Sequence, residues 1–210
     1  MAPHSLLPHL LPFFVTLFAR VFASDTSINS SLMYPLNCTR HIKTCKSTLY
    51  HINIGLPEEQ IASFYSVNTS QIKPIAHANK QDYLITAPCS CKDINGTTGY
   101  FYDTSYRVQQ GDTFDNVSAQ IYSGQAWKVE GQESSFIAGD VVSMHLLCGC
   151  VENNSQSVVT YTVQQNDTLS DIATLLSAKI SEIERMNRRL IRNPNLIDVG
   201  WVLFVPMEKN

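Results

Sequence analysis

Between residues 161 and 206 the apolar positions change period twice, and the changes outline a small unit. Tyr161-Thr-Val-Gln164 alternates as a strand does, and Asp167 or Thr168 offers a helix cap, with Asp171 three residues after Thr168. Leu169, Ile172, Ala173 and Leu176 then recur at i, i+3, i+4 and i+7, the stripe of a half-buried helix. A second stripe of Ile180, Ile183 and Met186 predicts another inward-facing helix, ended by Asn193-Pro194-Asn195, and Gly200-Trp201-Val-Leu-Phe-Val-Pro206 closes as a strand. Strand, helix, helix, strand fits a two-stranded antiparallel sheet covered by two helices, because two strands alone are marginal in water.

The opening of this unit is one copy of a repeat. Tyr106-Arg-Val-Gln-Gln-Gly-Asp-Thr113-Phe114 recurs 55 residues later as Tyr161-Thr-Val-Gln-Gln-Asn-Asp-Thr168-Leu169, with six of nine positions identical. A weaker copy, Tyr50-His-Ile-Asn-Ile-Gly-Leu-Pro-Glu58, keeps the alternation and the turn before a helix but lacks Gly-Asp-Thr. The period predicts three modules at 46–91, 104–150 and 159–206, after an N-terminal segment at 24–45 that carries the first Cys pair, with short Asn/Thr/Gly-rich linkers between them. The first two modules are short. Thr113 to Gly139 spans 26 positions where Thr168 to Gly200 spans 32, and Gly124 and Gly131 disfavour a second helix there. In the first module a helix reads from Pro57 with Ile61, Phe64 and Tyr65 inward, and Pro74 takes some of the room a second helix needs. The expected fold class is α+β, with the third module complete and the first two shortened.

Residues 1–23 read as a secretory signal peptide: an apolar run from Leu6 to Phe18, too short for the ~20 residues of a membrane span, precedes Val21-Phe22-Ala23. The six Cys, at 38, 45, 89, 91, 148 and 150, then imply three bridges, whose connectivity spacing leaves open. One residue between paired Cys suits zinc poorly. The two Cys of each Cys-X-Cys pair are expected to point apart, toward different partners. Modules this small rarely hold together on a core alone, so the bridges are expected to lock three marginal units into one cloverleaf-like body. Seven Asn-X-Ser/Thr sequons, at Asn29, Asn37, Asn68, Asn95, Asn116, Asn153 and Asn166, fit a glycosylated extracellular surface, with Asn37 hindered by Cys38.

The formal charge of −3 speaks against nucleic acid, and since no basic cluster is denser than Arg185 to Arg192, no surface stands out as a phosphate binder. No catalytic pair is apparent: Glu182 and Glu184 face different sides of a helix, and Glu130 and Glu133 sit in a loop. His41, His51, His77 and His145 show no ligand spacing, so neither metal, cofactor nor enzyme activity is expected.

Three repeats with a capped first helix, Cys-X-Cys pairs between them and a closing Val-Pro resemble the ectodomain of plant LysM receptor-like kinases and their kinase-lacking relatives, over residues 38 to 206. That resemblance implies bridges Cys38–Cys91, Cys45–Cys150 and Cys89–Cys148. It implies an extracellular, non-enzymatic receptor part that sits at the cell surface if a membrane segment and kinase follow residue 210, with a microbial glycan as ligand and a LysM kinase as co-receptor. It places the sugar on two loops of a module. In the second these are Gln109, Gln110, Gly111, Asp112, Thr113 and Phe114 with Glu133, Ser134, Ser135, Phe136 and Ile137. In the third they are Gln165, Asn166, Asp167, Thr168 and Leu169 with Asn193, Pro194, Asn195, Leu196 and Ile197. Asp112, Thr113, Asp167 and Thr168 serve as helix caps with or without a ligand. The shortened first two modules look most like the exopolysaccharide-receptor branch, which controls symbiotic infection. The alternatives are a receptor for chitin oligosaccharides or lipochitooligosaccharides in immunity or symbiosis, and a soluble chitin-binding LysM protein.

Overall fold

The computed structural model describes residues 33–209, so the signal peptide expected at residues 1–23 and the sequon at Asn29 lie outside the described residues. The elements run β1 (Thr44–His51), α1 (Glu58–Phe64), β2 (Ile72–His77), β3 (Lys80–Ile94), β4 (Thr97–Arg107), α2 (Phe114–Ile121), β5 (Val141–Leu147), β6 (Gln156–Thr162), α3 (Leu169–Leu175), α4 (Ile180–Met186) and β7 (Val202–Glu208). The third module is strand, helix, helix, strand. The second has only a 3-10 turn at Gln132–Ser135 between α2 and β5. The first replaces a second helix with β2, where Pro74 is tolerated because, among the described residues, β2 pairs with β3 alone and is an edge strand.

The modules do not keep separate sheets. All seven strands join one sheet in the order β5-β4-β3-β1-β6-β7, with β2 also on β3. The third module enters it through a short parallel pairing, Thr48↔Val159 and Leu49↔Thr160. Nor is the segment after residue 91 a linker: β3 runs on to Ile94 and turns at Asn95-Gly96 into β4. Both turn residues have positive φ, 49° and 80°, as a two-residue hairpin that matches strand twist requires.

The first two modules bury one core between them, in which Leu49, Ile61, Tyr65 and Ile85 meet Tyr102, Tyr106, Phe114, Tyr122, Met144 and Leu146. The end of α1 shows why neither stands alone. Its last carbonyls lack partners within the helix; Tyr102 donates to the Tyr65 carbonyl at 2.6 Å, and Thr104 and Tyr122 donate to that of Phe64 at 2.8 and 3.2 Å. Tyr50 of β1 packs into the third module's core with Tyr161, Leu169, Ile172, Ile183 and Leu203.

Disulfides join Cys38 to Cys91, Cys45 to Cys150 and Cys89 to Cys148. Cys89 and Cys91 both lie in β3, where residues two apart share a face, so they are separated along the strand rather than pointing apart. Two details of the third module depart from the sequence reading. Ile180 is 39% exposed, not inward, and α4 ends at Met186, well before Asn193. The stop comes from buried Asn187. Its amide donates to the carbonyls of Ile183 (2.7 Å) and Phe204 (2.8 Å) and accepts from the Phe204 N–H (2.8 Å), tying the helix end to β7.

Candidate functional site

The repeated motif is, at its centre, a turn lock. In the second module one carboxylate oxygen of Asp112 accepts from the Tyr106 hydroxyl and the Gln109 backbone N–H, both at 2.7 Å. In the third, Asp167 accepts from Tyr161 and from the Gln164 N–H, again at 2.7 Å. The first module makes the same lock from different parts: Tyr50 donates to Asp82 at 2.8 Å and the Asn53 N–H at 2.9 Å, so the carboxylate comes from β3 and the position matching Asp112 is free to be Leu56. Burial first, and the carboxylate partner second, hold the phenols of Tyr50, Tyr106 and Tyr161 protonated well above the ordinary tyrosine range. The next residue caps the helix. Thr113 accepts from the Asn116 N–H and Thr168 from the Asp171 N–H. The turn position before the aspartate is left-handed in both copies, Gly111 at φ 89° and Asn166 at φ 68°.

In the third module this lock borders a cleft of about 290 Å³ lined by Asp167, Thr168, Leu169, Ser170, Ile180, Pro194, Asn195 and Ile197. Gln165, Asn166, Asn193 and Leu196 are exposed beside it without lining it, and Leu169 is 4% exposed, its side chain given to the core. Ser170 and Ile180 were missed. The half-exposure of Ile180 places it at the cleft, a role its position on the second apolar stripe hid. The cleft is braced from the first module: His77 of β2 lies with Nε2 3.4 Å from Asp167 and Nδ1 3.7 Å from Asp82, and Gln164 reaches Nδ1 at 3.0 Å.

The second module arranges its two loops otherwise. Phe136 meets Phe114 edge to face at 5.9 Å, and Phe114 is 1% exposed, a core residue. Lys128 lies over the Phe114 ring and pairs with Asp115 and Glu133, which drives its own ammonium further toward the charged form although desolvation opposes it. Gln110, Gly111, Thr113, Glu133, Ser134, Ser135 and Ile137 are exposed and Asp112 is half-buried. Gln109 instead lines a cleft of about 460 Å³ with Gln60, Ser63, Phe64, Ser105, Tyr106 and Arg107, against α1.

Residues 161–206 match the LysM domain family. The third module is a LysM domain. Beyond it, the chain is 27% identical over 176 residues to LysM domain receptor-like kinase 3 of Arabidopsis thaliana, across 83% of this chain and 26% of that protein. The chain is thus homologous to a LysM receptor-like kinase and spans about a quarter of the length of that curated relative. Among solved structures it is similar to the ectodomain of a receptor like kinase, with TM-score 0.61 and 18% identity over 82% of this chain and 95% of the other. It is also similar to the LYK3 ectodomain, with TM-score 0.55 and 16% identity over 82% and 93%. The LysM domain and the two modules before it share the architecture of those ectodomains.

Proposed function

We propose that the chain is the glycan-recognising ectodomain of a cell-surface LysM receptor, that it works with a LysM co-receptor kinase, and that its ligand is a microbial exopolysaccharide read during symbiotic infection. The observation that carries the ligand choice is the second module's missing helix. In the LysM domain α4 supplies a wall of the cleft, whereas in the second module a 3-10 turn stands there and Phe136 lies on Phe114. A chitin groove shaped by two walls has lost one of them in that module. Saccharide sites gather modest affinity from many hydroxyl hydrogen bonds of about 1 kcal/mol net each, so displacing a wall removes most of it.

The second reading, a chitin or lipochitooligosaccharide receptor, is favoured by the intact cleft beside Thr168, Pro194 and Asn195. The two are separated by titrating the glycosylated ectodomain with purified exopolysaccharide fragments and with a chitin octamer. Binding of the fragments and silence toward the octamer is expected. Binding of the octamer alone, lost in Asn195→Ala, overturns the exopolysaccharide reading and supports the second.

A further inference from the structure

The basic cluster, unremarkable as sequence, is gathered by the fold. Arg185, Arg188 and Arg189, at the end of α4 and in the turn beyond it, face the N-terminal segment across a cavity of about 220 Å³. Tyr34 and Asn37 form the other side, and Leu36, Met186, Val202 and Phe204 give it an apolar floor. Leu36, Asn37, Arg185 and Met186 also line a second space of about 570 Å³ that leads on toward Val151 and Gln156, so the two form one continuous groove.

We propose that this groove is a binding site for a carboxylated saccharide chain, distinct from the cleft of the LysM domain. Its walls state the ligand's chemistry. Among the described residues none of the three guanidiniums has a carboxylate within ion-pair distance; of the lysines and arginines Lys92 and Lys128 alone are paired, so what sets the three apart is that they line one groove. On a chain of net −3 the three concentrate positive charge at one place. The Arg189 guanidinium carbon lies 5.6 Å from the centre of the Tyr34 ring, within cation–π range, and a guanidinium's fork of N–H donors suits a planar, bidentate acceptor such as a carboxylate. Tyr34 is 40% exposed, an aromatic face next to that fork where the C–H face of a pyranose can lie. A small inorganic anion has no use for the ring or the apolar floor, and a neutral sugar leaves the guanidiniums unmatched. Asn187, though it lines the cavity, has its amide committed to the backbone of Ile183 and Phe204, so it is scaffold rather than ligand. Glu152 is the one carboxylate lining the groove, in the second space, away from Tyr34. The sequons at Asn37 and Asn153 also line the groove, where attached glycans obstruct a broad protein partner more than a narrow saccharide.

The choice of a saccharide, though not of an anion, rests on the reading of the chain as a glycan receptor. The test is a titration of the secreted, glycosylated chain with oligogalacturonate, with the same oligomer methyl-esterified, and with inorganic phosphate. The acid form is expected to bind, more weakly as salt rises, with the ester weaker by about tenfold or more and phosphate weaker still. Arg185→Gln with Arg189→Gln is expected to reduce acid binding by about tenfold with an unchanged melting temperature, since both side chains are exposed. Tyr34→Ala is expected to weaken the oligomer and leave phosphate unaffected. Equal binding of acid and ester, no response to the arginine substitutions, or an effect of charge alone with no role for Tyr34 overturns the site. Titration with exopolysaccharide fragments and the octamer tests the receptor reading instead, so its failure while oligogalacturonate still binds through the arginines and Tyr34 leaves this groove standing, and the reverse.

Discussion

Acid should loosen this protein through one side chain, His51. Its imidazole is 0% exposed in β1, with Nδ1 3.2 Å from the Tyr65 hydroxyl, the ring edge-on to Tyr65, and Nε2 without a well-formed hydrogen bond among the described residues. Burial pulls its pKa down to about 4, against opposing attractions from Asp82 and from the backbone of Ile121. In the unfolded chain the same ring titrates near the ordinary 6.5. Between those values the unfolded state holds a proton that the folded state refuses, so stability rises with pH across the window and falls on acidification. At about 1.36 kcal/mol per pKa unit, moving from about pH 7.5 to about pH 4.5 costs the native state about 2.5 kcal/mol from this residue alone. Below about pH 4 both states are protonated and the loss levels off. The assay is urea unfolding with bridges intact, run at several pH values on the wild type and on His51→Leu. Removing the ring carries its own penalty at every pH, so the informative quantity is the gap between the two proteins, which should narrow by about 2.5 kcal/mol as pH falls. His41, His77 and His145 are present in both proteins and drop out of that difference. Parallel pH curves would refute the reasoning, since they would mean that His51 accepts a proton in place.

Gly149→Ala sets a Cβ 2.6 Å from Val158 Cγ1 and 3.0 Å from Leu36 Cδ2, so a loss of about 1–3 kcal/mol in a denaturation curve is expected. Asp112→Ala leaves the Tyr106 hydroxyl and the Gln109 N–H without their acceptor and should cost about 1–3 kcal/mol with no ligand present; an unchanged melting temperature would instead free Asp112 for a sugar. Non-reducing digestion with mass mapping should return the three crossed peptides, and loss of a bridge should cost roughly 2–5 kcal/mol. Asn37, Asn68, Asn95, Asn116, Asn153 and Asn166 are all exposed, so enzymatic deglycosylation should lower the mass by several glycans and leave the circular-dichroism spectrum unchanged.

What could be read from the chain alone is what local periodicity controls. The stripe from Leu169 to Leu176, the Thr113 and Thr168 caps and the inward Ile61 and Tyr65 all depend on neighbours within a few residues, and all stand in the structure. What escaped is long-range. No pattern in residues 80–94 shows that β3 pairs with β1, β2 and β4, with β1 and β2 both on Tyr83, Leu84 and Ile85, and the Asn95-Gly96 turn reads as linker because Asn, Thr and Gly are also what linkers are made of. The lock in the first module was hidden for the same reason. A motif search looks for the aspartate six residues after Tyr50, and Asp82 is supplied from another strand. Tyr34 and Arg189 are 155 positions apart, and only the fold makes a groove of them.

All six cysteines lie between residues 38 and 150, so no covalent crosslink encloses the LysM domain. The end of β7 pairs with the beginning of β6, Glu208 against Gln156, at the edge of the sheet. Tension applied at the C-terminal end and resisted by the bridged body therefore loads one rung of this hairpin at a time, as in opening a zipper, rather than shearing all rungs together. Under a pull the LysM domain gives way first, while the body from 38 to 150 cannot lengthen beyond its three crosslinks. In a receptor tethered on that side, a ligand held on the LysM domain is the one mechanical force can release, and a ligand held on the first two modules stays bound.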